Sequence, residues 1–198
     1  MNRSSADNIT KKDIQQLPLL TFKGEIRVIN THKECNEVLF ILEKEALLGF
    51  DTETKPTFHK GEYNPTALIQ LSTQKEAFLF RLNKIGYPKR LFNLLANPNL
   101  TKLGISILDD LKDLNKLSPF TPQGFIDLNH TAKKLGIRHI GVRKLTAIFL
   151  KHRISKNQRV SNWENEELTE GQKRYAATDA WICIEIHDRL LQKGYTSF

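Results

Sequence analysis

Apolar residues along the chain keep two different periods, and each change of period marks an element. TFKGEIRVI (21–29), LLGFDTE (47–53), ALIQLS (67–72), AFLFRL (77–82), LTKLGIS (100–106) and FIDL (125–128) are short and rich in apolar residues, which predicts strands. In HKECNEVLFILEKE the apolar positions Val38, Leu39, Ile41 and Leu42 follow the spacing of an amphipathic helix. Further helices are predicted over 88–97, stopped by Pro98-Asn99, and over LDDLKDLNKL (108–117). Two more follow: HTAKKLG, closed by Gly136, and VRKLTAIFLKH (142–152). A long helix runs from Thr169 to Lys193, opened by a capping box of Thr169 and Gln172. The stretch between Thr54 and Thr66, with two prolines and a glycine, reads as a loop. Strands come first as a meander and then alternate with helices. That order predicts an α/β fold, a mixed sheet with helices on its faces.

A chain of 198 residues suits one domain with a full core. Residues 1–20 are polar and aperiodic and read as a flexible or loosely docked extension. Residues 21–198 read as the single folded domain. No apolar run approaches a bilayer span, and the first residues carry no apolar core of a secretory signal. Cys35 and Cys183 lie far apart and suggest neither a zinc site nor a disulfide framework. A reducing cytoplasmic setting is the expectation.

Charge narrows the picture. The net charge is +8, and from Thr131 to Val160 there are nine Lys or Arg residues and no Asp or Glu. An excess gathered on one segment points to a polyanionic partner. A solvated basic helix pair would give the same count.

The acids are placed in another way. Asp51 and Glu53 end an apolar strand, and residues i and i+2 of a strand share a face. Their carboxylates project together, about 7 Å apart along the strand. Held close, they repel, and a hard divalent cation with oxygen ligands relieves that repulsion. On the last helix Tyr175 and Asp179 are one turn apart, among the small or apolar Ala176, Ala177, Ala180 and Trp181. An acid there is partly buried, which is costly unless it is paired or ligates metal. A third group, Asp109, Asp110 and Asp113, opens the helix after LTKLGIS. Each group alone has an ordinary reading: solvated strand-end acids, a Tyr–Asp hydrogen bond, acids favoured by a helix dipole. A dinucleotide site with Asp51 on a ribose is disfavoured, since the Gly-rich turn it needs is missing.

Taken in order, D-x-E on a strand, Asp at a strand-to-helix junction and Y-x-x-x-D on a late helix resemble the DEDD superfamily of 3′-5′ exonucleases. The tyrosine-bearing branch fits, in its Werner and ribonuclease D types. The likeness rests on FDTE, ALIQLS, LGISILDDLKDL and SNWENEELTEGQKRYAATDA, and covers roughly Thr21 to Leu191. It implies an RNase H-like fold and metal-dependent hydrolysis of nucleic-acid 3′ ends to nucleoside 5′-monophosphates. It also implies two divalent ions, Mg²⁺ or Mn²⁺, held by Asp51, Glu53, Asp110 and Asp179. Tyr175 completes the catalytic set as an orienter of water. Asp110 is preferred to Asp109 because Leu114 stands four residues on, where such families place a packing residue, whereas Asp109 has Asp113 there. Backbone groups at Thr52 and Thr54 are candidates to position the 3′-terminal nucleotide, with Arg159 to contact phosphate and Trp163 to stack on a base or to pack. The other reading is a nucleic-acid-binding module of the same fold without catalysis.

Overall fold

The computed structural model describes residues 9–57, 59, 61–137 and 140–195. In chain order the elements are α1 (Lys11–Gln16), β1 (Glu25–Ile29), α2 (His32–Leu42), β2 (Leu47–Thr54), β3 (Thr66–Ser72) and β4 (Glu76–Arg81). Then come α3 (Leu82–Ile85), α4 (Lys89–Leu95), β5 (Thr101–Gly104), α5 (Leu108–Leu117), β6 (Phe125–Asp127) and α6 (Leu128–Lys134). The chain closes with α7 (Val142–Leu145), a π-helical turn (Thr146–Leu150) and α8 (Glu170–Gln192).

The strands form one sheet in the order β1-β4-β3-β2-β5-β6. β2, β3 and β4 are an antiparallel meander, while β5 pairs parallel with β2 and β6 with β5. β1 adds itself parallel to β4 at the far edge. This is the mixed sheet that the strand pattern predicts.

The pleat divides β2 between two cores. Leu48 and Phe50 enter the core built with Leu39 and Leu42 of α2, Leu95 of α4 and Leu114 of α5. The alternate residues face α8. Gly49 makes that packing possible: a Cβ there would lie 2.0 Å from the Ala180 carbonyl oxygen of α8. Ala176, Ala177 and Ala180 are fully buried along the same helix. The small residues of YAATDA thus bring the helix axis close to the sheet. β3 is buried throughout, with Ile69 and Leu71 in the first core and Leu68 packed with Trp163 and Ala176 in a second.

One expectation needs correction, the helix over 142–152, and one is refined: the extension read as flexible or loosely docked lies against the domain from Ile9 on. α1 carries its own capping box of Thr10 and Asp13, and Ile14 is buried. Leu19 bridges Arg153, and the Arg153 Nε donates to the Leu17 carbonyl. One buried residue in a six-residue helix leaves no period to read. Residues 1–8 lie outside the described residues. The helix expected over 142–152 is not continuous: it widens into a π turn at Thr146 and stops at Lys151, which has φ 58°. The Thr146 hydroxyl donates to the Val142 carbonyl, one turn back, at 2.6 Å. No helix among the described residues is long and apolar enough to cross a membrane.

Candidate active site

The face of β2 that meets α8 carries Asp51 and Glu53, and the Gly49–Ala180 approach sets α8 at the height that brings Asp179 to them. One carboxylate oxygen of each acid lies within 4.8 Å of the other two. No cation side chain is paired with any of the three among the described ion pairs. Their protonation follows from that. Burial pushes the Asp51 carboxyl well above the ordinary range, and the charges of Asp179, Glu53 and Asp110 push it further. Burial, then Asp179 and Asp110, raise Glu53 to about 9. Asp179 is raised by burial, and a hydrogen bond from the Tyr175 hydroxyl offsets part of the rise. The phenol is itself pushed up by burial and then by the neighbouring acids, so Tyr175 is a neutral donor at any working pH.

Asp110 arrives from the other side of the sheet. α5 packs on the face opposite α8, with Leu114 fully buried beneath. Thr52, the residue of β2 that points to that face, donates its hydroxyl to Asp110 Oδ1. Asp110 is raised by burial, with the Thr52 bond opposing, and its charge is felt at Asp51 and Glu53. Asp109 is 88% exposed in its side chain and pairs with Lys112. The geometry therefore joins Asp110, not Asp109, to the cluster. The acids grip the carboxyl end of β2 from both faces.

The remaining candidates fall differently. Thr52 is buried and its hydroxyl holds Asp110; the expectation concerned its backbone groups. Thr54 is exposed at the end of β2, beyond an irregular step in register with β3. Arg159 is exposed and lines a cavity of about 340 Å³ that also reaches Tyr175. Trp163 is 0% exposed and packs with Ala67, Leu68, Leu79 and Leu168. A ring sealed on every side cannot stack on a base, so of its two expected roles only packing fits.

Two residues escaped the sequence reading. Gln70 stands directly across from Asp51 on β3, fully buried, and neither end of its amide has a protein partner. A polar residue inside the apolar run ALIQLS was the available signal. Arg81 is buried and donates to the carbonyls of Glu166 and Asn165, tying the loop that carries Trp163 to the end of β4. Its charge gave no hint of that role.

A donor set made only of carboxylate oxygens fits a hard divalent ion, and among the described ion pairs no cation side chain is paired with these acids. The unpartnered Gln70 amide beside Asp51 gives that position one more polar group suited to an ion and its ligands.

A mixed α/β sheet that gathers acids at the end of its central strand, with a phenol one helical turn away, has the frame of a phosphodiester hydrolase. The comparisons agree. A 3′-5′ exonuclease family matches residues 26–194, and the chain belongs to that family. It is 30% identical over 198 residues to the mouse bifunctional 3′-5′ exonuclease/ATP-dependent helicase WRN, covering 91% of this chain and 14% of that protein. Among solved structures it superposes on the Aedes aegypti Nibbler EXO domain with TM-score 0.80 at 20% identity, over 88% of this chain and 92% of that one. Trypanosoma brucei RNase D in complex with RNA U12 gives TM-score 0.77 at 19% identity, over 86% and 63%. The fold is thus the RNase H-like exonuclease fold, and the chain spans well under half the length of the mouse relative.

Proposed function

We propose that this chain removes nucleotides one at a time from nucleic-acid 3′ ends, releasing nucleoside 5′-monophosphates with the aid of two divalent ions, Mg²⁺ or Mn²⁺. The observation that carries the reading is the convergence of Asp51, Glu53 and Asp179, with Asp110 joining through Thr52. Asp51, Glu53 and Asp179 would hold one ion, and Asp51 with Asp110 the other. Ions bound there supply positive charge against the anionic phosphate and the leaving 3′-oxygen.

The chain's own groups do the rest. Tyr175, a neutral phenol, donates to Asp179 and orients the attacking water; it does not take its proton. Trp163 holds the Tyr175 ring from behind, and Thr52 holds Asp110. The basic segment 131–160 contacts phosphates 5′ to the cleaved bond, with affinity that weakens in salt. RNA held by the Trypanosoma brucei RNase D and the exonuclease of the mouse relative both support a nucleic-acid strand as substrate.

The test is a 5′-labelled oligonucleotide, DNA and RNA in parallel, incubated with protein and Mg²⁺ or Mn²⁺. A ladder shortening from the 3′ end, abolished by EDTA, is expected. Binding without shortening under both metals would mean a module of this fold that lacks catalysis.

A further inference from the structure

The turn from β5 into α5 contains Ser106 in the left-handed region, with φ 66°. That conformation costs free energy for a residue with a Cβ, and it persists where surrounding bonds hold it. Two residues at the β6–α6 junction do so. The Ser106 N–H donates to Asp127 Oδ1 at 3.1 Å, and Asn129 Nδ2 donates to Ser106 Oγ. The same Asp127 oxygen accepts from the Asn129 N–H at 2.8 Å. At its other end, the Asn129 amide oxygen accepts from the Gly141 N–H at 2.7 Å. A backbone N–H only donates, so the amide has one orientation: oxygen to Gly141, nitrogen to Ser106. Asn129 is buried, so losing either bond would leave a buried polar group unpaired.

The two ends of this amide hold different parts of the candidate active site. Ser106 stands shortly before Asp110, the acid that α5 brings to the cluster. Gly141 directly precedes α7, which carries Arg143 and Lys144 of the basic segment. We infer that Asn129 is a positioning residue with two separable tasks. Through Ser106 it holds the turn that delivers Asp110 to the metal-binding acids. Through Gly141 it fixes the start of the helix that presents cations to the strand. The inference rests on the exonuclease reading above. Asn129 acts through these two backbone segments, not on the substrate. The pair of tasks needs an acceptor at one end of a short side chain and a donor at the other, which the amide supplies and a leucine of similar size does not.

Two affinities of the full chain separate the tasks: Mn²⁺ binding without nucleic acid, by calorimetry, and binding of a labelled DNA ten-mer in EDTA at low salt. Ser106→Ala removes the hydroxyl but keeps the strained turn. It should weaken Mn²⁺ binding about tenfold, the lower end for groups that orient metal ligands, and leave ten-mer binding unchanged. Ser106→Gly also removes the hydroxyl, but glycine adopts φ 66° without strain, so Mn²⁺ affinity should stay within about twofold. Asn129→Ala should weaken both affinities, that for the ten-mer several-fold. Adding Ser106→Gly to Asn129→Ala should restore Mn²⁺ binding but not ten-mer binding, a split that general destabilisation does not produce. Ser106 is exposed, so its two variants keep the metal arm open if Asn129→Ala fails to fold, and Asn129→Leu then carries the strand arm. Mn²⁺ affinity unchanged in Ser106→Ala, or lost equally in Ser106→Gly, overturns the task at Asp110. Ten-mer binding unchanged in the Asn129 variant overturns the task at α7. Cleavage by the unaltered protein is scored apart. Its failure would count against exonuclease action, while the two affinities still decide the role of Asn129.

Discussion

The ring of Trp163 lies against that of Tyr175, with centroids 6.1 Å apart and planes inclined by 41°. The loop carrying Trp163 is in turn held by Arg81 through the Glu166 and Asn165 carbonyls, and by Gln172 Nε2 through the Asn162 carbonyl. Tyr175 is thus placed by a chain of contacts that begins at the end of β4. Trp163→Phe should keep the fold and lower kcat by about tenfold or more, since small misplacements of a reacting group cost up to 10²-fold. KM should change little, because no substrate touches the ring. Trp163→Ala should cost about 3–5 kcal/mol of stability. Steady-state kinetics beside thermal unfolding checks both; a change confined to KM would contradict the positioning role.

Asp109 and Asp110 are neighbours in sequence with opposite surroundings. Asp110→Asn should lower cleavage by at least about a hundredfold, the upper range for groups that tune a metal site. Asp109→Asn should leave cleavage near that of the unaltered chain, because it removes only an exposed pair with Lys112. Parallel assays under Mn²⁺ decide, and a dead Asp109 variant beside an active Asp110 variant would reverse the assignment.

Gly49→Ala tests how the acids are brought together. The added Cβ meets backbone, the Ala180 carbonyl at 2.0 Å, so α8 must move off β2. Overpacking of this kind costs about 1–3 kcal/mol. The larger effect should be functional: Asp179 leaves the cluster, and the thermal stabilisation by Mn²⁺ disappears while the protein remains folded. A variant that still folds and keeps its full Mn²⁺ response would show that the close approach is not needed.

Metal-free protein should lose stability as the pH rises. Glu53 has an ordinary value of 4.5 and is pushed up to about 9 in the fold. Between those values the folded state keeps a proton that the unfolded state has released, so rising pH favours unfolding. The stabilisation is whole below 4.5 and lost as the pH passes 9. Asp51 and Asp179 shift in the same direction. Mg²⁺ and Mn²⁺ bind the ionised carboxylates, so their stabilising effect should grow across the same window. Unfolding midpoints at about pH 5, 7 and 9, with chelator and with metal, test the linkage. A chelated Glu53→Gln protein should show a flatter profile.

Most of the strands and the long last helix could be read from the sequence, because each carried its own period or cap, whereas the order of strands in the sheet could not. Thr169 and Gln172 form the capping box that their spacing predicts. The grouping of Asp51, Glu53, Asp110, Tyr175 and Asp179 was legible through a family likeness; spacing alone left each group ambiguous. Contacts that depend on packing between distant elements stayed hidden. Trp163 in SNW looks equally able to stack or to pack until Ala67, Leu68 and Leu168 close around it. α1 could not be read because a single buried Ile14 sets no rhythm. The π turn was missed because Thr146 differs from an ordinary helical residue only through where its hydroxyl points.

β2 and β5 lie side by side, and the chain leaves β2 into a hairpin but leaves β5 into a helix on one face, with α8 closing the other face. The acids therefore come from three widely separated stretches, and the last of them, Asp179, sits in the final helix. A chain emerging from the ribosome has β2 and α5 long before α8 exists. Until that helix docks through Gly49 and Ala180, the centre lacks Asp179 and Tyr175 together.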